Sequence, residues 1–195
     1  MPLPIVDVTP DKEELLEQAA RLLLDAFRDR SEDWQDVGSA RQEVLASLAP
    51  DRISRVLVDE SGAALGWIGG ISTYSGRVWE VHPLVVSAAH RRRGIGRALV
   101  EDLERVVAGR GALTLWVGSD DENDETTLSG VDLYPDIPGA IRNIRNLRQH
   151  PYEFYIRLGF RIAGVLPDAN GPGKPDIFLA RRVAVSARPP ALGDV

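Results

Sequence analysis

The chain of 195 residues contains no cysteine. Disulfides, thiolate metal sites and any covalent route in which an acyl group rests on a protein thiol are thereby excluded. It also lacks a run of about eighteen apolar residues, and its first residues show no basic stretch followed by an apolar one. The expectation is a soluble, cytoplasmic protein with no membrane partner. Positive charge is in deficit, since 23 Lys and Arg against 29 Asp and Glu leave a net charge of -6. That balance argues against nucleic-acid partners and suits a cationic small molecule. The three histidines, His82, His90 and His150, are not spaced as a ligand pair, so no metal is expected. Neither an internal repeat nor a linker interrupts the chain. One domain over residues 1–185 is expected, followed by a flexible tail over 186–195 with two prolines.

The apolar periodicity predicts a sequence of elements. Leu15, Leu16, Ala19, Ala20, Leu22, Leu23, Ala26 and Phe27 recur at helical spacing and predict an amphipathic helix over 12–30, with a second over 37–48. Between 52 and 86 short apolar runs alternate with Ser61-Gly62 and Ser75-Gly76, the pattern of an antiparallel meander. A helix over 95–107 closes at Gly109, and a β-rich run over 112–117 follows, which suggests a parallel crossover. Residues 119–146 are acidic and then rich in turn residues, an excursion expected to be ordered and functional. A short helix over 151–158 and strands over 160–166 and 176–183 complete a single α/β sheet with helices on both faces.

Chemistry concentrates first at Arg91-Arg92-Arg93-Gly94-Ile95-Gly96-Arg97, between an apolar strand and a helix. A glycine-rich turn entering a helix offers bare N–H groups and a positive dipole end. Gly94 and Gly96 allow close backbone approach, and Arg91, Arg92, Arg93 and Arg97 can surround a diphosphate. No Gly-Lys-Ser/Thr follows, and Leu99 stands where the third glycine of a dinucleotide fingerprint would be, so both of those nucleotide readings fail. A solvated basic loop remains the plainer alternative.

The pattern Arg91-x-x-Gly94-x-Gly96 resembles the acetyl-CoA motif of the GNAT superfamily, and Glu153-Phe154-Tyr155-Ile156-Arg157-Leu158-Gly159-Phe160 resembles its second block. Within it, Trp79-Glu80-Val81-His82-Pro83-Leu84-Val85-Val86, His150-Pro151-Tyr152-Glu153-Phe154-Tyr155 and Lys174-Pro175-Asp176-Ile177 are similar to the aminoglycoside 6'-N-acetyltransferase subgroup. The resemblance implies a mixed, mostly antiparallel GNAT-like sheet with a splayed parallel strand pair. It implies direct acetyl transfer from acetyl-CoA to an amine of an aminoglycoside, and a homodimer. A polyamine, a metabolite amine or a protein amino group remain alternative acceptors, and a non-catalytic acyl-CoA sensor is an alternative of another class.

An amine must lose its proton before it attacks a thioester, so a base is needed. Glu80 is the leading candidate; His82, an imidazole that can act as base or relay protons through water, is the second. Strand alternation would place Glu80, His82 and Leu84 on one face and Val81 on the other, with Pro83 inviting a bulge. By resemblance, that bulge frees the amides of Leu84, Val85 and Val86 for the cofactor, joined by those of the Arg91 to Arg97 turn including Ile95. Tyr155 matches the tyrosine that protonates the departing CoA thiolate, and an aromatic core position is its plainer reading. The position where the superfamily often has asparagine, seven residues before this tyrosine, holds Arg148 here, with Asn146 nearby. Asp120, Asp121, Glu122 and Asp136 could line a cleft for a polyammonium sugar or be solvated surface. Trp34 and Asp36 could stack on and bond a sugar ring, and Trp34 could equally pack in the core.

Overall fold

The computed structural model describes residues 3–28 and 33–183; the tail expected over 186–195 lies outside the described residues. The elements are β1 (Ile5–Asp7), α1 (Glu13–Phe27), α2 (Val37–Ala46), β2 (Arg52–Val58), β3 (Ala64–Thr73), β4 (Val78–Val86), α3 (Ile95–Gly109), β5 (Thr114–Asp120), α4 (Ile137–Arg142), α5 (Tyr152–Arg157), β6 (Arg161–Leu166) and β7 (Asp176–Arg182). Seven strands form one sheet in the order β1-β2-β3-β4-β5-β7-β6, in which the β4–β5 pair is parallel and the other pairs antiparallel.

Each sheet face is buried by a helix whose apolar stripe follows the 3.6-residue period. In α1, Leu16, Ala19, Ala20, Leu23 and Leu24 are buried, and they pack with Val56, Val58, Trp67 and Val85. On the opposite face Leu99, Val100, Leu103 and Val107 of α3 pack with Ile53, Ile68, Leu115 and Val117. The polar handle of the buried Trp67 is satisfied, its Nε1–H donating to Ser54 Oγ at 2.9 Å. Arg55 of β2 reaches across to Asp102 of α3, Nε to Oδ2 at 2.7 Å, and also to Asp7 of β1 at 2.7 Å. Asp102 is buried, so this pair fastens α3 to the sheet's edge and would leave a stranded charge if broken.

The predicted elements and the observed ones differ at particular places. α1 ends at Phe27 rather than at 30. β1, three residues long, has too little pattern to be legible and is defined by its pairing with β2. The 119–146 excursion is tied together by its own bonds. Asp121 accepts from the Glu125 and Thr126 N–H groups at 2.7 and 2.9 Å, and Thr126 bridges to Asn146.

Two features of β4 shape everything that follows. Ile68 pairs with Leu84 and Gly70 with Val81, so His82 and Pro83 together face Gly69, a bulge on β4. A side chain at position 69 would place its Cβ 2.1 Å from the His82 carbonyl oxygen, so only glycine fits there. The extra residue reverses the alternation beyond it. Trp79 and Val81 lie in the α3 core, Leu84 and Val86 pack against that same core, and Val85 joins the α1 core. Leu84 therefore does not share a face with Glu80 and His82, as simple alternation required, because the bulge turned it over. Secondly, β4 and β5 pair only through Val78–Thr114, Trp79–Leu115 and Glu80–Trp116. Beyond Glu80 the two parallel strands separate into a fork.

Candidate active site at the strand fork

The fork exposes backbone that a closed sheet would have consumed. The Ser87 N–H donates to the Leu65 carbonyl of β3 at 2.9 Å. Antiparallel alternation then directs the Val85 amide toward β3 and turns the amides of Leu84 and Val86 toward the fork. Of the three amides expected to face a cofactor, two are aimed there; that of Val85 is spent on the sheet.

Directly beyond lies the N-terminus of α3. Gly94 is its cap residue in the left-handed conformation, φ 84°, and provides no side chain to satisfy the first turn. The first intrahelical bond is Ala98 N–H to Gly94 O at 3.0 Å, so the amides of Ile95, Gly96 and Arg97 have no helical partner. The positive end of a four-turn helix and three bare amides suit an anionic ligand. Gly96 is held tight against Phe154, where a Cβ would stand 3.1 Å from the ring. The arginines divide. Arg91 Nε donates weakly to the Val86 carbonyl at 3.4 Å, Arg92 reaches Gln149 at 3.3 Å, Arg93 is exposed, and Arg97 pairs along its own helix with Glu101 at 3.5 Å. The Ile95 side chain is buried in the core, leaving its amide as its polar contribution to the turn.

Glu80 stands at the apex of the fork, on the face opposite the α3 core. Burial raises its carboxyl above the ordinary carboxylate range, against the opposing pull of His82 and Arg52. His82 lies two residues on, its Nε2 3.8 Å from Glu43 Oε1 and its ring 5.9 Å from that of Trp34. Tyr155 is on the other side of the sheet, packed edge-on against Phe154 and Phe160 at 5.0 and 5.5 Å. Burial pushes its phenol upward, so the hydroxyl keeps its proton. Glu80 and Tyr155 thus lie on opposite faces of the sheet.

The expected acceptor residues do not converge as a group. Trp34 packs edge-on against Phe27 at 4.9 Å and lies near His82, serving core and site edge together. The carboxylate of Asp36 caps α2 in a reciprocal box with Ser39, Oδ1 accepting its N–H at 2.9 Å. Asp121 is fully buried and its two oxygens organise the loop, so it is withdrawn from an acceptor cleft. Asp136 caps α4 by accepting from Gly139 N–H at 2.9 Å. Glu122 is half-buried beside Asp121. Asp120, exposed at the end of β5, accepts from Asn170 Nδ2 at 2.7 Å and faces the same side as Glu80.

Sequence reasoning missed two components of this face. Trp116 and Phe178 meet edge-on at 5.6 Å on β5 and β7, an aromatic wall beside the fork. Asp176, across from Asp120, has its carboxyl pushed up to about 7 by burial and by Asp120, with a smaller contribution from Glu80. Its position at the head of a strand was readable, but its neighbours depend on register. Among the described residues no group of three or more His, Asp or Glu could hold a metal ion, and no helix is long and apolar enough to cross a membrane.

Known proteins share this fold. Residues 16–127 match the model of the acetyltransferase (GNAT) family. No curated protein sequence matches significantly. A crystal structure of an aminoglycoside 6'-N-acetyltransferase complexed with coenzyme A is 40% identical, with TM-score 0.87 over 96% of this chain and 99% of that one. The aminoglycoside 6'-N-acetyltransferase from Enterococcus faecium is 41% identical, with TM-score 0.85 and the same coverage. An aminoglycoside 6'-acetyltransferase type Ii is 34% identical, with TM-score 0.73 over 96% of this chain and 100% of that one. With the bulged β4, the fork and the bare α3 amides carried by a sequence this similar along its length, the chain belongs to the GNAT acetyltransferase family.

Proposed function

We propose that this protein transfers the acetyl group of acetyl-CoA directly to the 6'-amine of an aminoglycoside, in the cytoplasm, as an antibiotic-inactivating enzyme. The observation that carries the reading is the fork itself, with a raised, half-buried carboxyl at its apex and bare amides along one arm. Similarity of about two residues in five to aminoglycoside 6'-N-acetyltransferases over nearly the whole chain supports the acceptor class.

The pyrophosphate of acetyl-CoA sits on the amides of Ile95, Gly96 and Arg97, with Arg91, Arg92 and Arg93 around it. The pantetheine arm runs along β4 to bring the thioester to the fork, where the Leu84 or Val86 amide receives the carbonyl oxygen as it becomes an oxyanion. Glu80 accepts a proton from the acceptor ammonium, directly or through water; a carboxyl raised by burial is the better base near neutrality. The freed amine attacks the thioester carbon, the C–N bond forms and the C–S bond breaks; the nitrogen sheds its second proton to solvent, and the thiolate takes a proton from Tyr155, which solvent restores. His82 lies beside Glu80 on the acceptor side and suits a relay of the proton to solvent. Asp120 and the aromatic wall of Trp116 and Phe178 receive a cationic sugar, one by charge and the other by apolar contact.

The test is CoA release from acetyl-CoA with kanamycin and tobramycin beside spermidine and a lysine peptide, in the wild type and Glu80→Gln. Turnover with the antibiotics and its collapse in the variant are expected. Turnover confined to spermidine or the peptide overturns the acceptor, and turnover undiminished in the variant overturns Glu80 as base.

A further inference from the structure

Asp176 opens β7 directly across from Asp120 of β5. Counting in steps of two from the Glu80–Trp116 and Trp116–Ala180 registers brings Gly118 with Phe178, then Asp120 with Asp176, to the face that carries Glu80. The intervening residues Leu115, Val117, Ile177 and Leu179 fill the α3 core on the other face. The Asp176 carboxylate does not stand away from the sheet. It lies back over Gly118, where a Cβ would sit 2.7 Å from Oδ2, and only the missing side chain makes room. Because the strand order is β4-β5-β7, that lean carries it across β5 toward the fork and Glu80.

Its neighbours have their partners. Asn170 donates to Asp120, Lys174 binds Asp124 at 2.7 Å, and the Glu125 and Thr126 amides hold Asp121. Oδ1 of Asp176 is buried and has no hydrogen-bond partner. A buried carboxylate oxygen without a donor, next to two further carboxyls and an aromatic wall, is costly to maintain. It is the arrangement expected where an incoming cation supplies the missing donor.

We propose that Asp176 is a specificity-determining residue of the acceptor site, its carboxylate receiving a second ammonium group of a polycationic acceptor whose reacting amine lies at Glu80. The inference rests on the acceptor class proposed above and deepens it, since a monoamine would leave Oδ1 unanswered. It also predicts a linked proton. Burial, Asp120 and Glu80 raise this carboxyl to about 7, while the Ser119 and Ile177 N–H groups pull the other way. His82 is the next titratable group along β4, and Lys174, the near cation on the β6–β7 connection, is engaged by Asp124. The free protein therefore carries a proton on Asp176 part of the time near neutrality, and an arriving ammonium expels it.

The experiment is calorimetric titration of kanamycin into the full-length protein saturated with CoA, at pH 7 in two buffers of different ionisation enthalpy, for wild type and Asp176→Asn. CoA affinity measured alongside reports whether the variant is folded. The variant is expected to bind kanamycin about tenfold to a hundredfold more weakly, the loss of one charge-assisted bond. CoA affinity should stay within about threefold, and the wild type should release about half a proton more than the variant. Unchanged kanamycin affinity, equal proton release in the two proteins, or a parallel loss of CoA and kanamycin binding overturns the assignment. Wild-type protein that binds no kanamycin overturns the acceptor class and this inference together; wild-type binding with an unaffected variant overturns the inference alone.

Discussion

Gly69→Ala should damage both stability and catalysis, and its neighbour Gly70→Ala should cost far less stability and leave catalysis intact. At position 69 the new methyl would stand 2.1 Å from the His82 carbonyl oxygen and 3.4 Å from Pro83 Cδ. Carbon and oxygen do not approach within about 3 Å, so β3 and β4 must part by roughly 1 Å. The obstructing atom is backbone inside a paired sheet and cannot rotate away. At position 70 the nearest atom is Leu103 Cδ1 at 2.9 Å, the tip of a side chain that can change rotamer. Overpacking against fixed backbone costs about 3 kcal/mol, and against a movable tip about 1 kcal/mol. The displaced strand is the one that aims the Leu84 and Val86 amides, and a misplacement of about 1 Å at a reacting centre costs on the order of a hundredfold in rate. Urea unfolding of both variants, with kcat and the KM for acetyl-CoA, checks this. Equal destabilisation by the two substitutions, or wild-type kcat in Gly69→Ala, would refute the claim that the bulge sets the fork.

Three further outcomes follow from named interactions. The acid limb of the kcat/KM profile should lie above the ordinary carboxylate value of 4.5, because burial raises Glu80, and it should vanish in Glu80→Gln. Asp176→Asn should stabilise the free protein: with a carboxyl at about 7 folded and 3.8 unfolded, the native state binds the extra proton, so wild-type stability is fullest below pH 3.8 and declines as pH rises toward 7. After solvent screening the gain at pH 7.5 should be about 1–2 kcal/mol, shrinking to nothing near pH 4, and a variant no more stable than wild type at pH 7.5 would contradict it. Asp102→Ala should cost about 3 kcal/mol in urea unfolding, because it takes from the Arg55 guanidinium its buried carboxylate and leaves it the exposed Asp7 and the Ile5 carbonyl.

Local pattern fixed the identities of most elements. The stripe Leu16, Ala19, Ala20, Leu23 made α1 legible, and Gly94 before Ile95 marked the start of α3, because helical period and glycine conformation are properties of short segments. The candidate base was legible for the same reason: Glu80 stands out on an otherwise apolar strand, three residues before Pro83. Three things were decided only in three dimensions. The bulge opposite Gly69 turned Leu84 to the α3 face, which alternation could not foresee, since one inserted residue inverts every side chain beyond it. Asp36, Asp121 and Asp136 looked like cleft-lining acids until their oxygens were seen to cap helices and hold a loop, a use that depends on which N–H groups lie near. Asp176 stood in the Lys174-Pro175-Asp176-Ile177 motif with no role attached to it. The register of β7 on β5 set it beside Asp120, the absent side chain of Gly118 let it lean toward the fork, and burial without a donor gave it a perturbed proton. Sequence determined which segments are helix and strand and which residues can carry a proton. Tertiary structure decided which of them share a space, because contacts between strands far apart in the chain are set by sheet register and not by spacing.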